Sequence, residues 1–128
     1  MAEVKELIEG YSIAQANSKV KADGSVTLVK SKNNVIVDTG VTGDDKIIIE
    51  KLKQENLSTE DINYIVQKHG HSDHTSNLGL FKKAAVIGYG SLNKGDEFSF
   101  WDPDFVVDDE VKVIPTPGHT MGDVSVVV

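Results

Sequence analysis

Three of the four histidines of this chain fall within six residues, in His69-Gly70-His71-Ser72-Asp73-His74, and the fourth stands apart in Pro117-Gly118-His119-Thr120. That spacing constrains the local structure before any fold is considered. Neutral imidazole is the commonest protein ligand for zinc, and several such donors converge on one ion only where regular backbone does not intervene. Gly70 permits an unusual turn, so His69 and His71 can face one side. Asp73 and His74 then face a neighbouring position about one loop-width away, a spacing that suits two metals. A lone histidine is more often hydrogen-bonded in a core or exposed on a surface. A cluster with an interleaved aspartate points instead to a built metal site.

Composition narrows what can hold the ion. The chain has no cysteine, which excludes a disulfide framework, a thiolate metal site and a cysteine nucleophile, so any metal is held by nitrogen and oxygen. All 13 basic residues are lysine, and no arginine exists to clamp a phosphate or carboxylate through two parallel hydrogen bonds. The 20 acidic residues bring the net charge to -7, which gives no electrostatic footprint for sequence-independent nucleic-acid binding. With 128 residues, 39% hydrophobic and 26% charged, the chain reads as one globular domain, residues 1–128. Its longest apolar runs, such as Val124 to Val128, fall far short of the ~20 residues that span a bilayer. The N-terminal residues mix acids among apolar side chains and do not read as a secretory signal. The expectation is a cytoplasmic, or nuclear, protein with no membrane partner.

Short apolar runs separated by turn residues predict most of the elements. A strand is expected at Tyr11 to Ala14. Lys19 to Lys21 and Val26 to Val29 flank Ala22-Asp23-Gly24, a turn of the kind that closes hairpins. After the polar turn Ser31 to Asn34, the run Val35-Ile36-Val37-Asp38-Thr39-Gly40 completes an antiparallel meander. Ile48, Ile49 and Leu52 recur at helical spacing behind Asp44 and Asp45, predicting a helix over 44–56. Ser58 to Asp61 has capping-box form and starts one short turn before a buried strand at Ile62 to Val66. A short helix is expected at Asn77 to Lys83. Strands are expected at Ala84 to Gly88, Glu97 to Phe100, Val111 to Ile114 and Val124 to Val128. Hairpins mixed with a helical crossover indicate a layered α/β or α+β sheet domain.

Between Asp96 and Glu110 lie seven acids interleaved with Phe98, Phe100, Trp101 and Phe105, which read as a surface loop anchored by aromatic packing. Gly88-Tyr89-Gly90 has no following Lys-Ser or Lys-Thr and carries no phosphate role. Asp123 is either a bracing partner of the histidine loop or a turn residue.

The block His69 to His74 resembles the His-x-His-x-Asp-His signature of the metallo-β-lactamase fold superfamily. Val35 to Gly40 is similar to its VDTG-type strand end, and Pro117 to Thr120 to its third-histidine loop. The stretches HGHSDHTSNLGLF, EGYS with ADGSVTLV, and TPGHTMGDVSVVV look closest to one branch of that superfamily, over about Leu7 to Val128. The resemblance implies the N-terminal half of an αββα sandwich, a mixed sheet with helices on one face. It further implies that His69, His71 and His119 hold a first zinc. Asp73 and His74 hold a second, a bridging hydroxide acts as nucleophile, Asp73 orients it, and Asp38 braces the ligand loops from behind. Lys68 stands where relatives usually carry Thr or Ser, and a cation there can point away from the metals because neighbours on a strand alternate faces.

The chain has about the length of the first half of such a domain plus the third-histidine loop. One well-held Zn2+ and a weak or absent second are therefore expected. The resemblance implies a zinc-dependent hydrolase, in this branch an RNA phosphodiesterase of the histone pre-mRNA 3′-end type. Alternatives are a truncated zinc-binding homologue without turnover and a thioester or lactam hydrolase. Partners are then a small molecule or RNA. Half a sandwich also exposes a sheet face and the Val124 to Val128 edge, which predicts self-association.

Overall fold

Alternation within a few short strands sorts the apolar side chains onto two faces, and that sorting defines the layers. The structure is a computed structural model describing residues 2–16, 18–118 and 120–128. Strands β1 (Glu3–Ile8), β2 (Tyr11–Ala14), β3 (Val20–Asp23), β4 (Val26–Lys30) and β5 (Asn34–Val37) precede helix α1 (Asp45–Gln54) and β6 (Tyr64–Val66). One helical turn, α2 (Ser72–Thr75), separates β6 from β7 (Ala85–Gly88), β8 (Ser91–Lys94) and β9 (Glu97–Phe100). Strands β10 (Phe105–Val106), β11 (Lys112–Pro115) and β12 (Val124–Val127) follow.

Leu28, Ile36 and Ile65 leave one face of β4, β5 and β6 and pack with Ile48 and Leu52 of α1 and with Phe81. Their immediate neighbours Val29, Val35, Val37 and Val66 leave the other face and pack with Val111, Val113 and Val124. Burying each such side chain contributes roughly 1.5–3 kcal/mol. Both faces being covered explains why these strands are continuously apolar rather than alternating with polar residues. The result is a mixed α/β arrangement with α1 on one side of a seven-stranded sheet, order β1-β4-β5-β6-β7-β8-β9, and a three-stranded sheet, order β10-β11-β12, on the other.

The centre of the large sheet is parallel. Val35, Ile36 and Val37 stand opposite Tyr64, Ile65 and Val66, which in turn oppose Ala85, Val86 and Ile87. Parallel neighbours require a crossover, and α1 supplies it. The segments following β5 and β6 therefore emerge side by side at the carboxyl ends of adjacent parallel strands, where ligands bind in open α/β sheets.

Several expectations hold in detail. The predicted helix 44–56 is found as Asp45–Gln54, ended by Asn56 in the left-handed region at φ 61, while the Leu57 N–H closes on Leu52 O at 2.9 Å. Ser58 and Asp61 form the expected capping box around the 3-10 turn Thr59–Asp61. Among the described residues no helix is long and apolar enough to cross a membrane.

Other expectations are corrected. Ala22-Asp23-Gly24 does not close a hairpin between the flanking strands: β3 pairs back onto β2, with Tyr11 opposite Asp23, and β4 lies between β1 and β5. The physical reason is that Gly24 is engaged elsewhere, its N–H donating to Asp73 O at 3.1 Å. The helix expected at Asn77 to Lys83 is a single 3-10 turn, Leu78–Leu80, because Asn77 is tied to a neighbouring loop by its side chain. In the acidic aromatic segment, Trp101 donates Nε1–H to Ser91 O at 2.8 Å and packs at 6.2 Å from Phe105, as anchors do. Phe98 and Phe100 instead project from β9 and are exposed.

One carboxylate latches the two sheets together. Asp108 Oδ2 accepts from Ser31 Oγ and from the Asn33 N–H and Nδ2 at 3.2 Å, while Oδ1 accepts from the N–H groups of Glu110 and Val111. Burial pushes this carboxyl up, but donors from Ser31, Glu110 and Asn33 outweigh it and hold it at about 2 against an ordinary 3.8. A depressed folded-state value stabilises the fold above the unfolded value, and that contribution fades as pH falls through about 2. Asp108→Ala is expected to destabilise the protein by about 1–3 kcal/mol at neutral pH. Urea melts at pH 7 and pH 2.5 should show the gap between variant and wild type closing at the lower pH.

Candidate metal centre

The first residue past β5 organises the site. Asp38 adopts φ 62, a left-handed conformation that aspartate tolerates better than most residues, and its side chain is fully buried. A buried carboxylate persists only with partners. Its Oδ1 accepts the Lys68 N–H at 2.8 Å, its Oδ2 lies 2.6 Å from His74 Nδ1, and the Lys68 ammonium stands 3.6 Å from that same Oδ2. The Asp38 N–H donates to Val66 O at 2.8 Å, continuing the β5–β6 ladder by one residue. Asp38 thus links the end of β5 to both ends of the histidine-rich segment.

The next residues repeat the pattern through the main chain. Thr39 N–H donates to His74 O at 2.7 Å, and Asn77 Nδ2 donates to Thr39 O at 2.6 Å and Val41 O at 2.7 Å. Gly40 has φ +69, and a Cβ there would lie 2.5 Å from Asp44 Oδ2, so glycine is required. Asn77 is a buried member of the site that sequence reasoning missed. Its position three residues after His74 was the available signal.

The structure brings His69, His71 and Asp73 together: one ligand atom from each lies within 4.8 Å of the others. The His69 ring centroid is 4.7 Å from that of His71 and 4.0 Å from that of His74. Because His74 Nδ1 is taken by Asp38, its Nε2 is the nitrogen turned to the centre, 3.5 Å from Asp73 Oδ2. Carboxylate-backed imidazoles of this kind are fixed in orientation and made more basic as ligands. Burial lowers the pKa of His69, and the neighbouring His74 and His71 lower it further against opposing effects of Asp38 and Asp123, so the neutral, ligating form is favoured. Donors on a tetrahedral zinc lie about 3.3 Å apart, given Zn–N and Zn–O bonds of about 2.0–2.1 Å. The observed donors, all within 4.8 Å of one another, are nitrogen and oxygen atoms of the kind such an ion takes.

His119, expected to complete the first site, lies outside the described residues. Four positions further along the sequence, Asp123 serves a turn: its carboxylate accepts the Thr120 N–H at 3.0 Å and the Thr120 hydroxyl at 2.7 Å. The turn is fastened to the site segment by the Val124 N–H, which donates to Lys68 O at 2.9 Å.

A cleft of about 660 Å3 opens over the donors and is walled by Ser12, Val20, Ala22 and Val41. Ser12 and Ala22 are directly paired and Val20 opposes Ala14, so one face of the β2–β3 hairpin supplies most of this wall. Behind it, Asp23 abuts Asp44, and Asp23 Oδ1 is buried without a hydrogen-bond donor. Burial and then Asp44 raise the Asp23 carboxyl to about 6. Gly24 lets the chain approach the ligand segment closely, since a Cβ would fall 2.5 Å from Asp73 O and 3.0 Å from His74 Nδ1. Gly24→Ala is expected to displace Asp73 and His74 and weaken Zn2+ binding about tenfold or more while the circular dichroism spectrum is kept. Isothermal titration of the two proteins with Zn2+ measures this, and equal affinities would contradict the placement.

With this geometry in view, the similarities are specific. Residues 22–102 match the family model described as the metallo-beta-lactamase superfamily. Metallo-beta-lactamase domain-containing protein 1 of Xenopus laevis is 34% identical over 131 residues, an alignment covering 98% of this chain and 56% of that protein. A probable metallo-hydrolase of Methanocaldococcus jannaschii is 39% identical over 94 residues, covering 73% of this chain and 45% of the relative. The chain thus spans about half the length of these curated relatives. A Thermotoga maritima crystal structure described as a metallo-beta-lactamase superposes with a TM-score of 0.76 at 22% identity, covering 98% of this chain and 71% of the other. The match extends from β3 through β9 and includes both Asp38 and the histidine cluster, and the chain belongs to the metallo-beta-lactamase superfamily.

Proposed function

We propose that this chain carries the metal-binding half of a metal-dependent hydrolase, with zinc as the ion. One observation carries the reading: His69, His71 and Asp73 converge while buried Asp38 turns His74 Nε2 toward them. Proteins of this superfamily bind divalent metals, typically zinc. When bound, zinc supplies a water nucleophile at neutral pH, by lowering a pKa from 15.7 to about 7, and polarises the group under attack. The protein's own residues do the rest. His69 and His71 would hold the ion, Asp38 orients His74, and Asp73 would hold and orient the attacking water's proton. The β2–β3 hairpin excludes bulk water from one side.

The cleft bears on the substrate class. Its hairpin wall of Ser12, Val20 and Ala22 is uncharged, and Asp23, Asp44 and Asp73 cluster beside it. This combination favours an uncharged acyl substrate, a thioester or a lactam, over a polyanion. An RNA phosphodiester is the second reading, supported by the branch of the superfamily that the chain resembles. His71→Ala is expected to lower turnover of the zinc-loaded protein by 100-fold or more. Parallel assays with a thioester, a lactam and an RNA oligonucleotide test this. Equal inertness of wild type and variant towards all three would favour a zinc-binding protein without turnover.

The reading also includes a second copy of the chain as partner. Strand β12 ends the order of its sheet among the described residues, and its Val127 and the following Val128 are exposed. Such an edge is a template for pairing. Sedimentation equilibrium is expected to read a dimer, and Val127→Lys to shift it to monomer; a wild-type monomer would refute this partner.

A further inference from the structure

The donors around Asp38 include a residue that the histidine motif does not contain. Lys68 contributes twice: its N–H binds Oδ1 at 2.8 Å and its ammonium stands 3.6 Å from Oδ2. That Oδ2 is also the oxygen 2.6 Å from His74 Nδ1. Asp38 is fully buried, whereas the Lys68 side chain keeps 41% of its exposure, so the ammonium reaches the carboxylate from the solvent edge. We propose that Lys68 is a positioning residue that acts through Asp38 on His74 and limits how tightly the Asp73–His74 side of the centre holds a divalent cation. The inference rests on the metal-centre reading above and goes beyond it by assigning a tuning role outside the ligand set.

Three physical effects share one sign. A carboxylate behind a ligating imidazole raises its basicity, and an ammonium on the same oxygen draws part of that charge away. Without metal, a buried carboxylate is costly unless neutralised, and Lys68 supplies that neutralisation, which stabilises the metal-free state. With metal, the ammonium is a like charge near the incoming cation. Each effect weakens cation binding at His74, and none requires Lys68 to touch the ion. Oδ2 is in hydrogen-bond contact with His74 Nδ1, while the Asp38 charge also reaches His69, so the influence should be greatest on the His74 side.

The test compares wild type with Lys68→Met and Lys68→Arg by isothermal titration with Zn2+ alone. Lys68→Met should bind its weaker equivalent of Zn2+ about tenfold more tightly, with the tighter equivalent changed less, and Lys68→Arg should restore wild-type behaviour. In the metal-free proteins, the nuclear magnetic resonance signal of the His74 Nδ1 proton should move downfield in Lys68→Met as its bond to Asp38 strengthens, and should return in Lys68→Arg. An unchanged or weakened second affinity in Lys68→Met, or an unmoved His74 proton, overturns the proposal. Should Lys68→Met fail to fold, Lys68→Gln carries the same expectations. If wild-type protein binds no Zn2+, the metal-centre reading fails, and with it the claim on cation affinity. The His74 proton then still distinguishes that failure from one in which Lys68 does not act on His74.

Discussion

A single buried carboxylate holds the candidate centre together. Asp38 has no contact with solvent, and its charge is tolerable only because the segment after β6 presents donors to both of its oxygens. The dependence runs in both directions. Without Lys68 N–H and His74 Nδ1 the carboxylate would be stranded, and without the carboxylate nothing would select which nitrogen of His74 faces the centre. The hydrogen bonds made by Thr39, and those that Asn77 makes to Thr39 and Val41, carry the same coupling outward, so the ligand segment is held by its backbone as well as by one side chain.

The rest of the fold delivers these two segments to one place. Parallel pairing of β5 and β6, enforced by the α1 crossover, brings both strand ends to the same edge of the sheet. The valine face of the same strands recruits the three-stranded sheet, whose Val124 N–H fastens to Lys68 O directly before the histidines. The β2–β3 hairpin adds a wall, and Gly24 permits its close approach. The site is thus assembled from loops, but each loop is anchored on a packed strand, which is how irregular backbone holds the geometry that binding requires.

Much of this was legible along the chain. The helix over 44–56 announced itself through Ile48 and Leu52 one turn apart and through Asn56 as a stop, and both signals act locally. The capping box at Ser58 and the histidine block are likewise local patterns. Strand β1 was not legible, because Glu3 to Glu6 are exposed on an edge and carry no apolar alternation. The pairing of β3 with β2 rather than β4 was also hidden, since a turn-like Asp-Gly was serving a contact with Asp73 about 50 residues away. Asn77 looked like the start of a helix. Its amide was instead satisfying two carbonyls of the Asp38 loop.

The division follows from the range of the forces involved. Donor identity, the absence of thiolate and arginine chemistry, the short strands and the one amphipathic helix are properties of residue type and spacing, and these can be read within a dozen positions. Which nitrogen of His74 faces the cleft, where the Lys68 ammonium goes and how closely Gly24 approaches depend on partners 30 to 50 residues distant. Such contacts form only after the two valine and isoleucine faces have been buried, because the entropy of bringing remote segments together is offset by packing rather than by any local preference.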